Sequence, residues 1–262
     1  MCGYYNHSAL TMKDFFSSKI LRLFLCLLLI ISPFTIVAQT FQDLNAKIDS
    51  LKKNLPSLKD TARIDCLNNI SVYYLLSMQK DSSAHFINIV DEDSRKINYK
   101  HGIACSYMLK AGYTNHFYND FTSMKELAIE ALKWHNLSLN KTDIAIAYWQ
   151  LSLALSRLGN PDEALENAKL CYEWAKKTGD DQWLGNSLES MTDIYRDQGE
   201  YVKLLETQQE LVQMDRASGN NGYYSFHELW VLGLMYRLLE EYSTALPFWR
   251  KLFVESEGGF VW

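Results

Sequence analysis

Four prolines in 262 residues, at 33, 56, 161 and 247, leave long stretches with nothing to interrupt a helix. The twelve glycines are never massed into a phosphate-cradling loop. The Gly-x-x-x-x-Gly-Lys loop, the Gly-x-Ser-x-Gly elbow and the glycine-rich dinucleotide turn are all missing, which removes the commonest nucleotide and hydrolase chemistries. Five scattered cysteines, at 2, 26, 66, 105 and 171, do not make a disulfide framework. Basic residues are the minority, 26 against 31 acidic for a formal charge of −5, so nothing draws the chain to nucleic acid. Long apolar runs are scarce as well. The longest, Leu23 to Ile31, is well short of the roughly 20 residues that a spanning helix needs.

What the chain does have is a period. Gln79, Asn119, Gly159, Gly199 and Glu240 lie about forty residues apart, each between two apolar helical patterns. Five residues after these turns come Ala84, Met124, Ala164, Leu204 and Ala245. Nine after come Asn88, Ala128, Ala168, Gln208 and Trp249, and twelve after come Asp91, Ala131, Cys171, Leu211 and Leu252. Small or apolar residues on one helical face predict that this face packs on the preceding helix. Seven residues before four of the turns stand Gly112, Ser152, Thr192 and Gly233, small enough to let two helices approach closely. The first unit departs most, with Asn68, Ser71, Asn88 and Asp91 at expected core positions, and reads as an atypical capping unit.

The run Tyr148-x-x-Leu151-Ser152-x-x-Leu155-x-x-x-Gly159-x-x-x-x-Ala164-x-x-x-Ala168-x-x-Cys171 resembles the tetratricopeptide repeat family. The resemblance covers residues 61 to 255. It implies an all-α, right-handed α-solenoid of about five helix-turn-helix units of about 40 residues, near 61–100, 101–140, 141–180, 181–221 and 222–255. HEAT-type repeats are nearer in length, but the glycine turn followed by paired alanines favours the tetratricopeptide pattern. In the third unit Asn160 is placed to cap the second helix, Pro161 suits its first turn, and Gly179 is placed to close it.

The ends carry different signals. Residues 1–38 read as a signal peptide, with Met12 as a possible true start: Lys13, Lys19 and Arg22 precede the apolar stretch, and Ala38-Gln39 offers a cleavage point. Cleavage there leaves 23 basic and 30 acidic groups, a formal charge of −7. An uncleaved anchor is the competing reading. Phe41, Leu44, Ile48, Leu51 and Leu55 predict an amphipathic helix within 39–60 that covers the edge of the first unit. At the other end the pattern runs out near Val254, leaving an apolar tail at 256–262.

No catalytic set converges, and neither cofactor nor metal is expected. His85, His101, His116, His135 and His227 are scattered, and His227-Glu228 is followed by Val231 where a metalloprotease string needs its second histidine. Function is sought instead on the concave face, which in the resembled family is lined by the first helix of each unit. The matching positions present Ser106, Leu109, Tyr113, His116 and Phe117, then Ile146, Trp149, Leu153, Ser156 and Arg157. The fourth unit presents Asn186, Glu189, Asp193, Arg196 and Asp197, and the fifth His227, Trp230, Leu234, Arg237 and Leu238. Aromatic and arginine anchors make Tyr113, His116, Trp149, Arg157, Arg196, Trp230 and Arg237 the candidate groove for a protein or peptide partner. The lysine and asparagine clamp of chaperone-tail binders has no match. An exported array of long helices resembles the extracytoplasmic sensory region of bacterial two-component receptors. That resemblance implies a non-enzymatic, periplasmic interaction module that meets the membrane only through its leader or a missing C-terminal part. The alternative is a structural scaffold of the cell envelope.

Overall fold

The computed structural model describes residues 42–138 and 143–218, together with the buried helical Gly233. The expected leader at 1–38, the expected fifth unit near 222–255 apart from Gly233, with its Trp230 and Arg237, and the tail 256–262 lie outside the described residues. Every described element is helical. Helix α1 spans 42–54 and runs into a 3-10 turn, Leu55–Ser57. Then come α2 Asp60–Leu76 and α3 Lys80–Lys96, α4 Lys100–Tyr118 and α5 Phe121–Leu137. The last two pairs are α6 Ile144–Arg157 with α7 Pro161–Thr178, and α8 Asp181–Gln198 with α9 Tyr201–Ser218.

Consecutive helices pack on one another. The first helices α2, α4, α6 and α8 also pack on the next first helix along, whereas the second helices α3, α5, α7 and α9 keep their backbones apart, α7 and α9 meeting through the hydrogen bond from the Tyr172 hydroxyl to Glu210. First helices therefore form the inner layer of a solenoid and second helices the outer one, so each pair is stabilised by its neighbours. The face read from the repeat is the face that is buried. Met124, Ala128 and Ala131, then Ala164, Ala168 and Cys171, then Leu204, Gln208 and Leu211 are all 1 % exposed or less. Each fully buried leucine among them contributes about 1.5–3 kcal/mol. Cys66 on α2, Cys105 on α4 and Cys171 on α7 are buried free thiols. Burial and the nearby Asp180 carboxylate push the Cys171 thiol up to about 12, which keeps it protonated and unreactive.

The first unit requires a correction. Its left-handed turn residue is Met78, at φ 56°, and not Gln79, which caps the next helix with ordinary φ. Counted from Met78, the core positions become Ser83, Ile87 and Val90, all buried, and the small residue seven before the turn becomes Ser71, fully buried. The unit is regular, and Asn88 and Asp91 lie one residue off the packed face. Asn119, Gly159 and Gly199 turn the second, third and fourth units with positive φ, and Gly179 closes α7 with φ 71°. A side chain at the left-handed positions costs about 1–2 kcal/mol unless it is glycine or asparagine.

The caps also differ in part from expectation. Pro161 opens α7, but the Asn160 side chain makes no capping bond. Side-chain caps occur instead at Asp120, which accepts from Ser123 N–H at 3.0 Å, and at Asp180, which accepts from Trp183 N–H at 3.1 Å. Asp180→Ala is expected to cost about 1 kcal/mol, read as a lower urea midpoint at unchanged slope.

Among the described residues no helix is long and apolar enough to cross a membrane. Helix α1 seats Ile48 against Cys66, Ile70 and Tyr74 of α2, and Asn45 Oδ1 accepts from Gln79 Nε2 at 3.1 Å. The apolar face of the first pair is thus covered on its outer end.

Candidate interaction surface

The inner layer presents one residue or two per helical turn from each first helix, and its character changes along the array. From α2 come Val72, half-buried, and Leu76, 52 % exposed. From α4 come Tyr113 and Phe117, whose rings lie 5.0 Å apart, with Tyr118 5.8 Å from Tyr113. From α6 come the half-buried Trp149 and Leu153. On α8 the equivalent positions are Glu189, Asp193, Arg196 and Asp197, all exposed. The surface is apolar and aromatic over three units and acidic at the fourth.

The sequence-derived candidates fall into different environments. Tyr113 packs with Leu75 and Val72 at its base, and His116 is exposed beside it on α4. Trp149 is wedged between units, its ring 5.4 Å from that of Trp183 and packed with Ala145, Cys171 and Ala175. It therefore joins the third and fourth units. Arg157 is exposed at the last turn of α6. Arg196 is held within its own helix, 2.8 Å from Asp193 and 3.5 Å from Asp197. Exposed pairs of this kind contribute about 0–1 kcal/mol, but with Glu189 they leave α8 carrying net negative charge. Two expected groove residues are not on the surface: Ser106 is fully buried and donates to Asp91, and Leu109 is 5 % exposed.

Away from this face, three ligand-type side chains converge where the second unit meets the third. His101 and Cys105 lie one turn apart on the same face of α4, and Asp143 precedes α6. Asp143 Oδ2 is 3.3 Å from His101 Nε2 and 3.6 Å from Cys105 Sγ, and Cys105 Sγ is 3.6 Å from His101 Nε2. His101 and Cys105 are buried, and Asp143 keeps 28 % of its side chain exposed. The His135 ring, fully buried, stands 5.8 Å from that of His101. His101-x-x-x-Cys105 was visible as a helical spacing, but Asp143 lies 38 residues on, about one repeat, and only stacking brings it back.

No family model matches the sequence, and no curated protein matches it. Solved structures do. BtubC (BKLC) from P. vanneervenii superposes with a TM-score of 0.67 at 9 % identity, over 86 % of this chain and 93 % of that one. A STAND signal-transduction ATPase with a tetratricopeptide repeat sensor, from Pyrococcus horikoshii, gives 0.65 at 13 % identity, over 86 % of this chain and 35 % of that one. A Rap protein complexed with competence and sporulation factor gives 0.62 at 16 % identity, over 85 % of this chain and 73 % of that one. At these identities the likeness is one of fold: an all-α helical-repeat solenoid of tetratricopeptide type.

Proposed function

We propose that this chain is a non-enzymatic recognition module that holds an extended or helical peptide segment of a partner along its first-helix face. The observation that carries the reading is the polarity of that face. Leu76, Tyr113, Phe117, Trp149 and Leu153 offer apolar and aromatic contact, and Glu189, Asp193 and Asp197 add negative charge at the fourth unit. Such a surface selects a peptide with apolar side chains followed by basic groups, because the carboxylates give orientation while the aromatics supply buried area. A Rap protein of the same fold has been solved with competence and sporulation factor bound, which supports a solenoid of this kind as a binder.

Panning the full chain against a displayed library of random peptides tests the proposal. Sequences that combine apolar residues with lysine or arginine are expected to be enriched, and Asp193→Lys with Asp197→Lys should abolish that enrichment while helicity is unchanged. Both aspartates are about two-thirds exposed, so the double variant leaves the core intact. Enrichment of acidic peptides, or capture indifferent to this variant, would overturn the assignment. Trp149→Ala is a poorer test, since it also removes the contact with Trp183.

The leader-like residues 1–38 support a location outside the cytoplasm, and the sensory regions that the repeat pattern resembles support a place in a signalling receptor. The STAND protein of the same fold carries its tetratricopeptide repeat as a sensor. The intact mass of the protein from its source cells checks the export step: a product matching 39–262 is expected after cleavage.

A further inference from the structure

We propose that His101, Cys105 and Asp143 form a binding site for a divalent transition-metal ion of the zinc class. Their donor atoms have the spacing that such an ion imposes. With metal–sulfur at about 2.3 Å and metal–nitrogen and metal–oxygen at about 2.0 Å, tetrahedral ligands stand about 3.5 Å apart across sulfur edges and about 3.3 Å across the nitrogen–oxygen edge. The observed edges are 3.6, 3.6 and 3.3 Å. A hydrogen-bonded trio alone has no need to close all three edges of the triangle.

The donor set fits as well. Imidazole, thiolate and carboxylate together suit zinc and its neighbours, whereas calcium and magnesium call for oxygen ligands throughout. Two of the ligands are fixed on one helix face and the third on another unit, so an ion held here would brace the junction between the second and third units. The partly exposed Asp143 marks the side open to solvent, from which a fourth ligand would come. Nε2 is the ring nitrogen that would ligate, since it lies 3.6 Å from Cys105 Sγ where Nδ1 lies 4.0 Å away, and 3.3 Å from Asp143 Oδ2.

Binding releases a proton. Burial, with the Asp143 carboxylate adding to it, holds the Cys105 thiol well above its ordinary value, so the ion-free cluster keeps its sulfur protonated. The ion replaces that proton, which leaves to solvent, and the resulting thiolate and carboxylate offset its two positive charges.

Titration of the full chain, purified without a polyhistidine tag, with Co2+ and then Zn2+ tests the site. One Co2+ per chain is expected, with the near-ultraviolet thiolate-to-cobalt absorption and the intense visible bands of four-coordinate cobalt, both bleached by Zn2+. Cys105→Ser and Asp143→Asn should each weaken Zn2+ binding by at least about 100-fold, since even outer-shell partners are worth about 10- to 100-fold. Cys66→Ser and Cys171→Ser should leave the cobalt spectrum unchanged. Absence of saturable uptake, or a thiolate band that survives Cys105→Ser, would overturn the site. Circular dichroism of both ligand variants separates a lost ligand from a lost fold, and Asp143→Asn, nearly isosteric and 28 % exposed, spares the core.

Discussion

Gly102→Ala is expected to destabilise the protein by about 1–3 kcal/mol, while Gly112→Ala, ten residues along the same helix, is expected to be neutral or to stabilise it by up to about 1 kcal/mol. Both glycines sit within α4, so helix propensity favours alanine at each. Space decides the difference. A Cβ on Gly102 would lie 2.3 Å from Ser94 Oγ, 2.7 Å from the Tyr99 ring and 3.0 Å from Ile64 Cγ2. Ser94 could rotate away, but Tyr99 is pinned by its hydroxyl, which donates to Asp65 at 3.1 Å, and Ile64 is buried in the α2 core. The overlap must push α4 away from α2 and α3. A Cβ on Gly112 meets Gln150 and Leu75 at 3.7 Å, ordinary contact. Thermal and urea unfolding of the two variants gives the comparison directly. Adding Ser94→Ala to Gly102→Ala should recover part of the loss by removing the nearest atom; equal effects at both glycines would refute the packing account.

That contrast shows how far the sequence could be read. The repeat pattern flagged Gly112 as the close approach because it shares an offset with Ser152 and Thr192, and a repeat offset is a statement about an average unit. Gly102 lies near the start of α4, where the connection from α3 folds back. The solenoid itself was legible because alanines and leucines recurred at offsets set by helical geometry, and units two to four bury those residues as read. One residue of slip in the first turn was enough to make a regular unit look irregular. Met78 gives no local cue for left-handed backbone, whereas asparagine and glycine do at the later turns. The inner face was legible as a set of positions. Its character was not, because whether Arg196 points to a partner or to Asp193 and Asp197, and whether Trp149 faces the groove or Trp183, depends on side-chain conformation and on the twist between units. The His101, Cys105 and Asp143 cluster escaped for a related reason: its members come from two units, and a periodic reading compares units instead of joining them.

Asp91 is where the slip mattered most, and replacing it should be costly. Read as a misplaced core residue, it is in fact the anchor between the first two units. Its carboxylate accepts from Lys110 Nζ at 2.7 Å and Ser106 Oγ at 2.9 Å, both on α4, and from Arg95 Nε at 2.9 Å on its own helix. Burial pushes this carboxyl upward, but the bonds from Lys110 and Ser106 and the charges of Lys110 and Arg95 outweigh it, and the group is held below its ordinary value. Asp91→Asn keeps the shape and removes the charge. It is expected to cost about 1–3 kcal/mol at pH 7, because hydrogen bonds to a charged group are the stronger kind and the Lys110 ammonium is left facing an amide. The pH dependence follows from the direction of the shift. A carboxyl depressed in the folded state contributes stability that is fully present above the unfolded value of about 3.9, and loses it as pH falls through the lower folded value. Denaturation at pH 7 should therefore separate wild type from Asp91→Asn, and the gap should narrow steadily below about pH 4 as the wild-type carboxyl takes up its proton. A gap that stays constant from pH 7 to pH 3 would mean that Asp91 acts through packing alone, and that the units are joined by their apolar faces without this ionic tie.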